Sequence, residues 1–277
     1  MMKKTKNHLA SIGITERDTV CGESIDALIE AELITESLLG ELVSRVDFYD
    51  LTDAVKQVVI EDLIEAGVII RCPESVTISP FVKIGEGTII RASCEIRRNT
   101  VIGKNCDIGP CSVIENSRIG DDCIVNATQI YDSTLDANVK IGPFCHVRPN
   151  SHLCSGVKIG DFVEVKNSTV GCDSHASHLT YIGDSDVGER VNFGCGVVTV
   201  NYDGINKHRC VIGNDAFIGC NTNLVAPVTL EDGAYTAAGS TITDNVPADA
   251  LAIARARQTN IEGWNAKHKL TPKKPRN

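Results

Sequence analysis

The chain has 277 residues, enough for one large domain or two modest ones, and a formal net charge of −9. That acidity argues against a nucleic-acid binder, which normally presents a basic face, but it leaves room for a local basic pocket. Aromatic residues make up 4 % with a single Trp, too few for a ring-rich globular core, and no apolar run approaches the roughly 20 residues of a membrane helix.

The N-terminus, MMKKTKNHLASIG, is basic but lacks the apolar stretch of a signal peptide, so a cytoplasmic protein is expected. Residues 1–72 contain SIDALIEAELI, ITESLLGELV and LTDAVKQVVIEDLIEAG, with apolar residues at helical spacing, and the last ends at Gly67, a C-cap residue. This region is expected to be helical and to cap the first coil of the repeat region after it, because an open coil end exposes unpaired strand edges.

From Ile78 the pattern changes. Ile78, Ile84, Ile90, Ile96, Ile102, Ile108 and Ile114 succeed one another at every sixth position. The period resumes through Ile124, Ile130, Ile141, Val147, Leu153, Ile159 and Val165, and again from Ile212 to Ile242. Neither a helix nor an ordinary strand repeats every six residues; a parallel β-helix of hexapeptide repeats does. Residues 73–247 are therefore expected to form a solenoid of roughly nine coils of about 18 residues each. Gly after the aliphatic, as in Ile84-Gly85, Ile108-Gly109 and Ile159-Gly160, is read as corner glycine. Five-residue steps around Ile119 and Val187 are read as shortened corners. Residues 248–277 leave the repeat, and KHKLTPKKPRN is expected to be a mobile tail.

Twelve cysteines include no CxxC pair. Cys94, Cys106, Cys123 and Cys145 each come four residues after a repeat aliphatic, a slot that elsewhere holds Thr88, Thr100, Ser112, Thr169 or Ala216. They are read as small structural residues in a reducing compartment.

After Thr199 the repeat stops for VNYDGINKHRCV, which contains the turn-forming Asp203-Gly204 and should project as a loop. Polar residues crowd the coils before it. Arg148, Lys166 and Lys207 are cations that stacking could gather around an anion such as a phosphate, or that could each pair with a nearby acid. His178, just past a corner, has the chemistry of a general base, with Glu164 on the preceding coil to orient it, or is a plain surface histidine. A zinc site from His146, His175 and His178 is disfavoured, because an i, i+3 pair at a strand corner faces awkwardly.

The motifs GDFVEVKNS (160–168), SHLTYIGDSDVG (177–188), VNFGCG (191–196), NYDGINK (201–207), NTNLVAPVTL (221–230) and ARARQTNIEGW (254–264) resemble the acetyltransferase domain of bacterial bifunctional N-acetylglucosamine-1-phosphate uridyltransferase/glucosamine-1-phosphate acetyltransferases. The resemblance implies a mainly β, left-handed β-helix, in a homotrimer with sites between subunits. It implies acetyl transfer from acetyl-CoA to the amine of glucosamine 1-phosphate, in UDP-N-acetylglucosamine and cell-wall synthesis, with no metal. It makes His178 the general base assisted by Glu164, Arg148 and Lys166 phosphate-binding residues, and Tyr181 and Asn192 sugar contacts. Asn201 and Tyr202 contact acetyl-CoA and substrate with Lys207 nearby, and Cys195, Cys220, Ala238 and Arg255 fall at acetyl-CoA positions. Cys220 stands where this family usually has Ser, and Cys195 where it has Ala. Residues 1–50 do not encode the family's nucleotidyltransferase domain, so a separate uridyltransferase is expected to act next. Another amino-sugar phosphate, a nucleotide-activated amino sugar, or a non-catalytic scaffold are the alternatives.

Overall fold

In the computed structural model, which describes residues 3–15 and 17–268, the expected left-handed β-helix is the architecture found. Three flat faces of short parallel strands wrap one core. Face 1 holds ten strands from Thr77–Ile78 to Thr241–Ile242, and face 2 nine from Lys83–Ile84 to Val228–Leu230. Face 3 holds eleven, from Ile69–Ile70 to Leu251–Ala252, so the ladder starts before residue 73 and runs past 247. Most strands contribute one inward aliphatic residue, and Ile78, Ile90, Ile96, Ile108 and Ile114 are almost wholly buried.

One inward assignment differs from the sequence expectation. Val125, not Ile124, enters the core; Ile124 is 42 % exposed. Adjacent aliphatics cannot be ranked by period once the step shortens, and stacking decides: Val125 lies between Ile108 and Ile141. The same shortening puts Ser168, rather than Thr169, in the buried small-residue slot.

The corners also differ. Gly85, Gly103, Gly109, Gly160 and Gly183 do not adopt positive φ. A Cβ on Gly109 would lie 2.1 Å from Cβ of Arg91, and one on Gly160 2.0 Å from the Ser177 carbonyl oxygen, so these two glycines answer close approach of a neighbouring coil. The left-handed corner residues are mostly not glycine. Between faces 1 and 2 they form a row of Arg98, Asn116, Asp132, Asn150, Asn167 and Asp184, mostly Asn and Asp, the non-Gly types that tolerate this conformation best.

The cysteine stack is as expected. Cys94, Cys106, Cys123, Cys145 and Cys210 are buried, and their thiols donate to backbone carbonyls, as Cys123 does to Asp136 at 3.1 Å.

The helical region has its own small core of Leu9, Ile14, Val20, Leu28, Leu39 and Phe48. Its longest element, the helix Arg45–Glu65, begins in a capping box in which the Asp47 carboxylate accepts from Ser44 N–H at 2.8 Å. It ends with Gly67 at φ +89° and Val68 N–H donating to Leu63 O at 3.0 Å. Phe48 belongs to the small core while Leu63 joins the solenoid core, so this helix links the two. No helix among the described residues is long and apolar enough to cross a membrane. Most of the expected tail, residues 269–277, lies outside the described residues.

Candidate functional site

Strand register turns scattered sequence positions into rows. On face 1, His146 pairs with Glu164 and Glu164 with Tyr181, so these three side chains stack on the outer surface. Two residues further along each strand, Arg148, Lys166 and Gly183 make a second row; Lys166 pairs with Gly183. Arg148 and Glu164, on adjacent coils, meet at 2.9 Å. Glu164 is thus engaged by Arg148, and the His178 ring has no hydrogen-bond partner among the described residues. Glu164 opens a face 1 strand, and His178 ends a face 3 strand and pairs with Asp161.

The edge between faces 1 and 2 carries the loop after Thr199. Asp203 organises it, accepting from the backbone N–H groups of Ile205 (2.8 Å) and Asn206 (2.6 Å), with His208 Nε2 at 2.7 Å from its other oxygen. The Asn206 N–H, then His208 and the Ile205 N–H, pull the Asp203 carboxyl down to about 2. Tyr202 and Lys207 form an antiparallel bridge, and the Tyr202 hydroxyl donates to Gly204 O at 2.6 Å. The Arg209 guanidinium grips Asp186 and donates to Asn167 O at 3.1 Å, fixing the loop's return end to earlier coils.

Under this loop lies Asp184, 4 % exposed. The Asn167 and Asn201 side-chain amides both donate to its carboxylate, and Lys166 Nζ is 4.0 Å away. Burial works to raise the Asp184 carboxyl, but the two amides and the charges of Lys166 and Lys207 hold it below its ordinary value. The Lys207 ammonium beside it, with burial and the Arg148 charge, pushes Lys166 below its ordinary value against the pull of Asp184. Two ammonium groups held against each other gain from a bound anion. Tyr181 completes the cluster: its ring lies over Gly183, where a Cβ would come within 2.3 Å of the hydroxyl, which in turn accepts from Asn201 Nδ2 at 3.4 Å.

The edge between faces 3 and 1 carries a second group. Carrying the register of face 3 to the strand ends places His178, Cys195, Cys220 and Ala238 in one row along the axis. The backbone bonds Asn221 N–H to Cys195 O and Gly239 N–H to Cys220 O, both 2.8 Å, agree with that alignment. Beside the row stand Ser177, Gly194, Gly219 and Ala237, so the surface there is a smooth trough. The Arg255 side chain passes Gly239, whose Cβ would meet it at 3.9 Å. Phe144, Phe162 and Leu179, all at positive φ and each more than half exposed, form an apolar ridge next to His178, with the two rings stacked at 5.4 Å.

The residues expected from sequence therefore divide. Arg148, Lys166, Asn201, Tyr202 and Lys207 gather at the edge of face 1 toward face 2, while Glu164 and Tyr181, which open face 1 strands, reach toward them through Arg148 and Asn201. His178, Cys195, Cys220, Ala238 and Arg255 gather at the other, across a face of three residues, about 7 Å from Tyr181 to Gly183. Asn192 belongs to neither; it lies between His175 and Phe217 on the outer surface of face 3. Sequence reading missed Asp184, Asn167, Arg209 and Asp203. For Asn167 and Asp184 the signal was the Asn/Asp row at successive corners, which becomes visible only when the chain is cut into coils.

Known proteins share both the repeat and the motifs. Residues 81–116 and 209–244 match the family model "Bacterial transferase hexapeptide (six repeats)". The chain is 51 % identical over 226 residues to a bifunctional protein GlmU of Caldicellulosiruptor saccharolyticus, covering 82 % of this chain and 49 % of that one. Corresponding proteins of Clostridium perfringens and Clostridium acetobutylicum are 54 % identical over 207 residues and 45 % over 253, covering 75 % and 91 % of this chain and 46 % and 54 % of theirs. The chain spans about half the length of the curated relatives it matches.

Proposed function

We propose that this hexapeptide-repeat relative of bifunctional protein GlmU transfers the acetyl group of acetyl-CoA to the amine of glucosamine 1-phosphate. The observation that carries the reading is the pairing of two edges on one face. An unpartnered imidazole stands at the head of a smooth trough, and three cations stand about one strand width away.

In this reading the sugar phosphate sits over face 1 with its phosphate among Arg148, Lys166 and Lys207, where the bound anion relieves the Lys166–Lys207 repulsion. Tyr181 and Asn201, already joined at 3.4 Å, contact the sugar ring, and Asp184 fixes Asn201 from behind. Asn192, one face away, contacts the sugar only across a subunit boundary. Acetyl-CoA lies along the trough past Cys195, Cys220 and Ala238, with Arg255 meeting a CoA phosphate and Tyr202 at the loop closing over the thioester.

The amine nitrogen attacks the thioester carbonyl carbon and the N–C bond forms. His178 accepts the proton that the nitrogen loses. The oxyanion is held by the Cys220 thiol or a neighbouring backbone N–H. The C–S bond then breaks, and the CoA sulfur leaves as a thiol with the proton returned from His178. Both substrates bind together, so no acyl-enzyme is formed. Glu164 is a positioning residue for Arg148 within one chain; it reaches His178 only if phosphate binding releases it.

The test is release of CoA thiol from acetyl-CoA with purified chain and a panel of amino sugars, their 1-phosphates and nucleotide-activated forms. Turnover with glucosamine 1-phosphate, lost in His178→Ala, is expected. Turnover confined to another acceptor replaces the substrate, and no turnover with any acceptor removes the enzymatic reading. A mass corresponding to three chains in solution is expected, and alkylation of Cys220 should be slowed by acetyl-CoA.

A further inference from the structure

The edge of face 2 away from both clusters carries a cluster that the acetyltransferase reading does not use. Strands Thr134–Leu135, His152–Leu153 and Thr169–Val170 lie side by side there, with Leu135, Leu153 and Val170 facing inward. His152 and Cys154 flank the inward Leu153, so both side chains point out from the same face. Asp136 occupies the Cys154 position one coil earlier, as its N–H bond to Leu153 O at 2.8 Å requires. One ligand-type atom from each of Asp136, His152 and Cys154 lies within 4.8 Å of the other two. His152 Nε2 is 3.0 Å from Asp136 Oδ1.

We propose that Asp136, His152 and Cys154 form a binding site for a divalent transition metal of zinc type, with water in the fourth position. A tetrahedral ion with bonds of about 2.0–2.3 Å holds its ligand atoms roughly 3.3–3.8 Å apart, so closing this triangle takes side-chain rotation alone. The mixed O, N and S donor set suits zinc or cobalt and not calcium or magnesium, which take oxygen. All three residues are partly exposed, which gives the ion a path in.

The cysteine is also unlike its neighbours in the sequence pattern. The five interior thiols donate to backbone carbonyls, whereas the Cys154 thiol donates to none among the described residues. The nearby Asp136 and Glu189 carboxylates add negative charge around it. Those same negative groups favour a cation, and coordination replaces the thiol proton by the metal: the S–H bond breaks, an S–metal bond forms, and one proton goes to solvent. The His152–Asp136 hydrogen bond is exchanged for two metal bonds.

The test is titration of the reduced full chain with Co²⁺, read by thiolate-to-cobalt absorption, and X-ray absorption of the Zn²⁺ form. One metal per chain with a sulfur, nitrogen and oxygen shell is expected. Cys154→Ser should abolish the thiolate band, His152→Ala and Asp136→Asn should each weaken binding by about tenfold or more, and Cys111→Ser, an exposed cysteine elsewhere, should leave it unchanged. A band that survives Cys154→Ser, a shell without sulfur, or the absence of any stoichiometric binding would overturn the proposal. Circular dichroism of each variant separates lost ligands from lost fold.

Discussion

The early coils, up to about Tyr131, and the late coils, from His146 to Val225, share one backbone and one kind of core and both carry ion pairs on their outer faces, yet only the late coils hold an unbalanced cluster. In the early coils several arginines are paired with acids: Arg91 holds Asp107 through two bonds of 2.6 Å, and Arg97 and Arg98 share Glu115. In the late coils Lys166 is pressed against Lys207, Asp184 is buried beneath them, and the His178 ring has no partner among the described residues. An ion pair satisfied within the chain is finished, whereas an unbalanced cluster is costly unless something else completes it. The contrast separates scaffold from site more sharply than any single residue does.

The comparison is open to direct attack, and the largest effect should come from the unpartnered ring. His178→Gln is expected to lower kcat for acetyl transfer by about 10²–10⁴-fold with an unchanged circular dichroism spectrum and Tm. If activity persisted, the late coils would be no more functional than the early ones. Next comes charge. Lys166→Met should raise KM for the sugar phosphate by roughly 10–100-fold, the worth of a charged hydrogen bond of about 1.5–3 kcal/mol, while Arg97→Met in the early coils leaves KM unchanged.

Asp184→Asn should cost about 1–3 kcal/mol of stability at neutral pH and loosen Asn201, read as a rise in KM. The sign with pH comes from the depressed carboxyl. Its contribution is complete above the unfolded value near 3.8 and is lost as pH falls through the lower folded value, so chemical denaturation of the two proteins should converge in strong acid. The smallest effect belongs to the early coils: Arg91→Ala, which removes an exposed pair, should leave Tm almost unchanged and activity unchanged.

Much of the fold was legible. A period of six has one structural solution, and the aliphatics from Ile78 to Ile114 sit inward, with Ile84 at the first coil only partly buried. The loop after Thr199 was also legible, because the repeat visibly breaks there. What misled was local ambiguity. Ile124 and Val125 are equivalent to a hydropathy pattern, and a glycine after an aliphatic looks the same whether it turns a corner or avoids the next coil. The residue types of the site were legible too, but not their partners. Glu164 was expected to orient His178 and its carboxylate is found on Arg148, and Asp184 was quoted within SHLTYIGDSDVG without being singled out.

The sequence alone, then, determined the solenoid, the helical character of the N-terminal region and the interruption that becomes the loop, since each is encoded in spacing within a few residues. Only the tertiary structure decided which side chains meet. Coils differ in length: Ile114 pairs with Ile130 sixteen residues on, Val147 with Val165 eighteen on, and Thr199 with Leu224 across the loop. Lateral neighbours therefore depend on the accumulated register of every coil between them. That register is set by backbone hydrogen bonds and core packing, and it appears in no local pattern of residues.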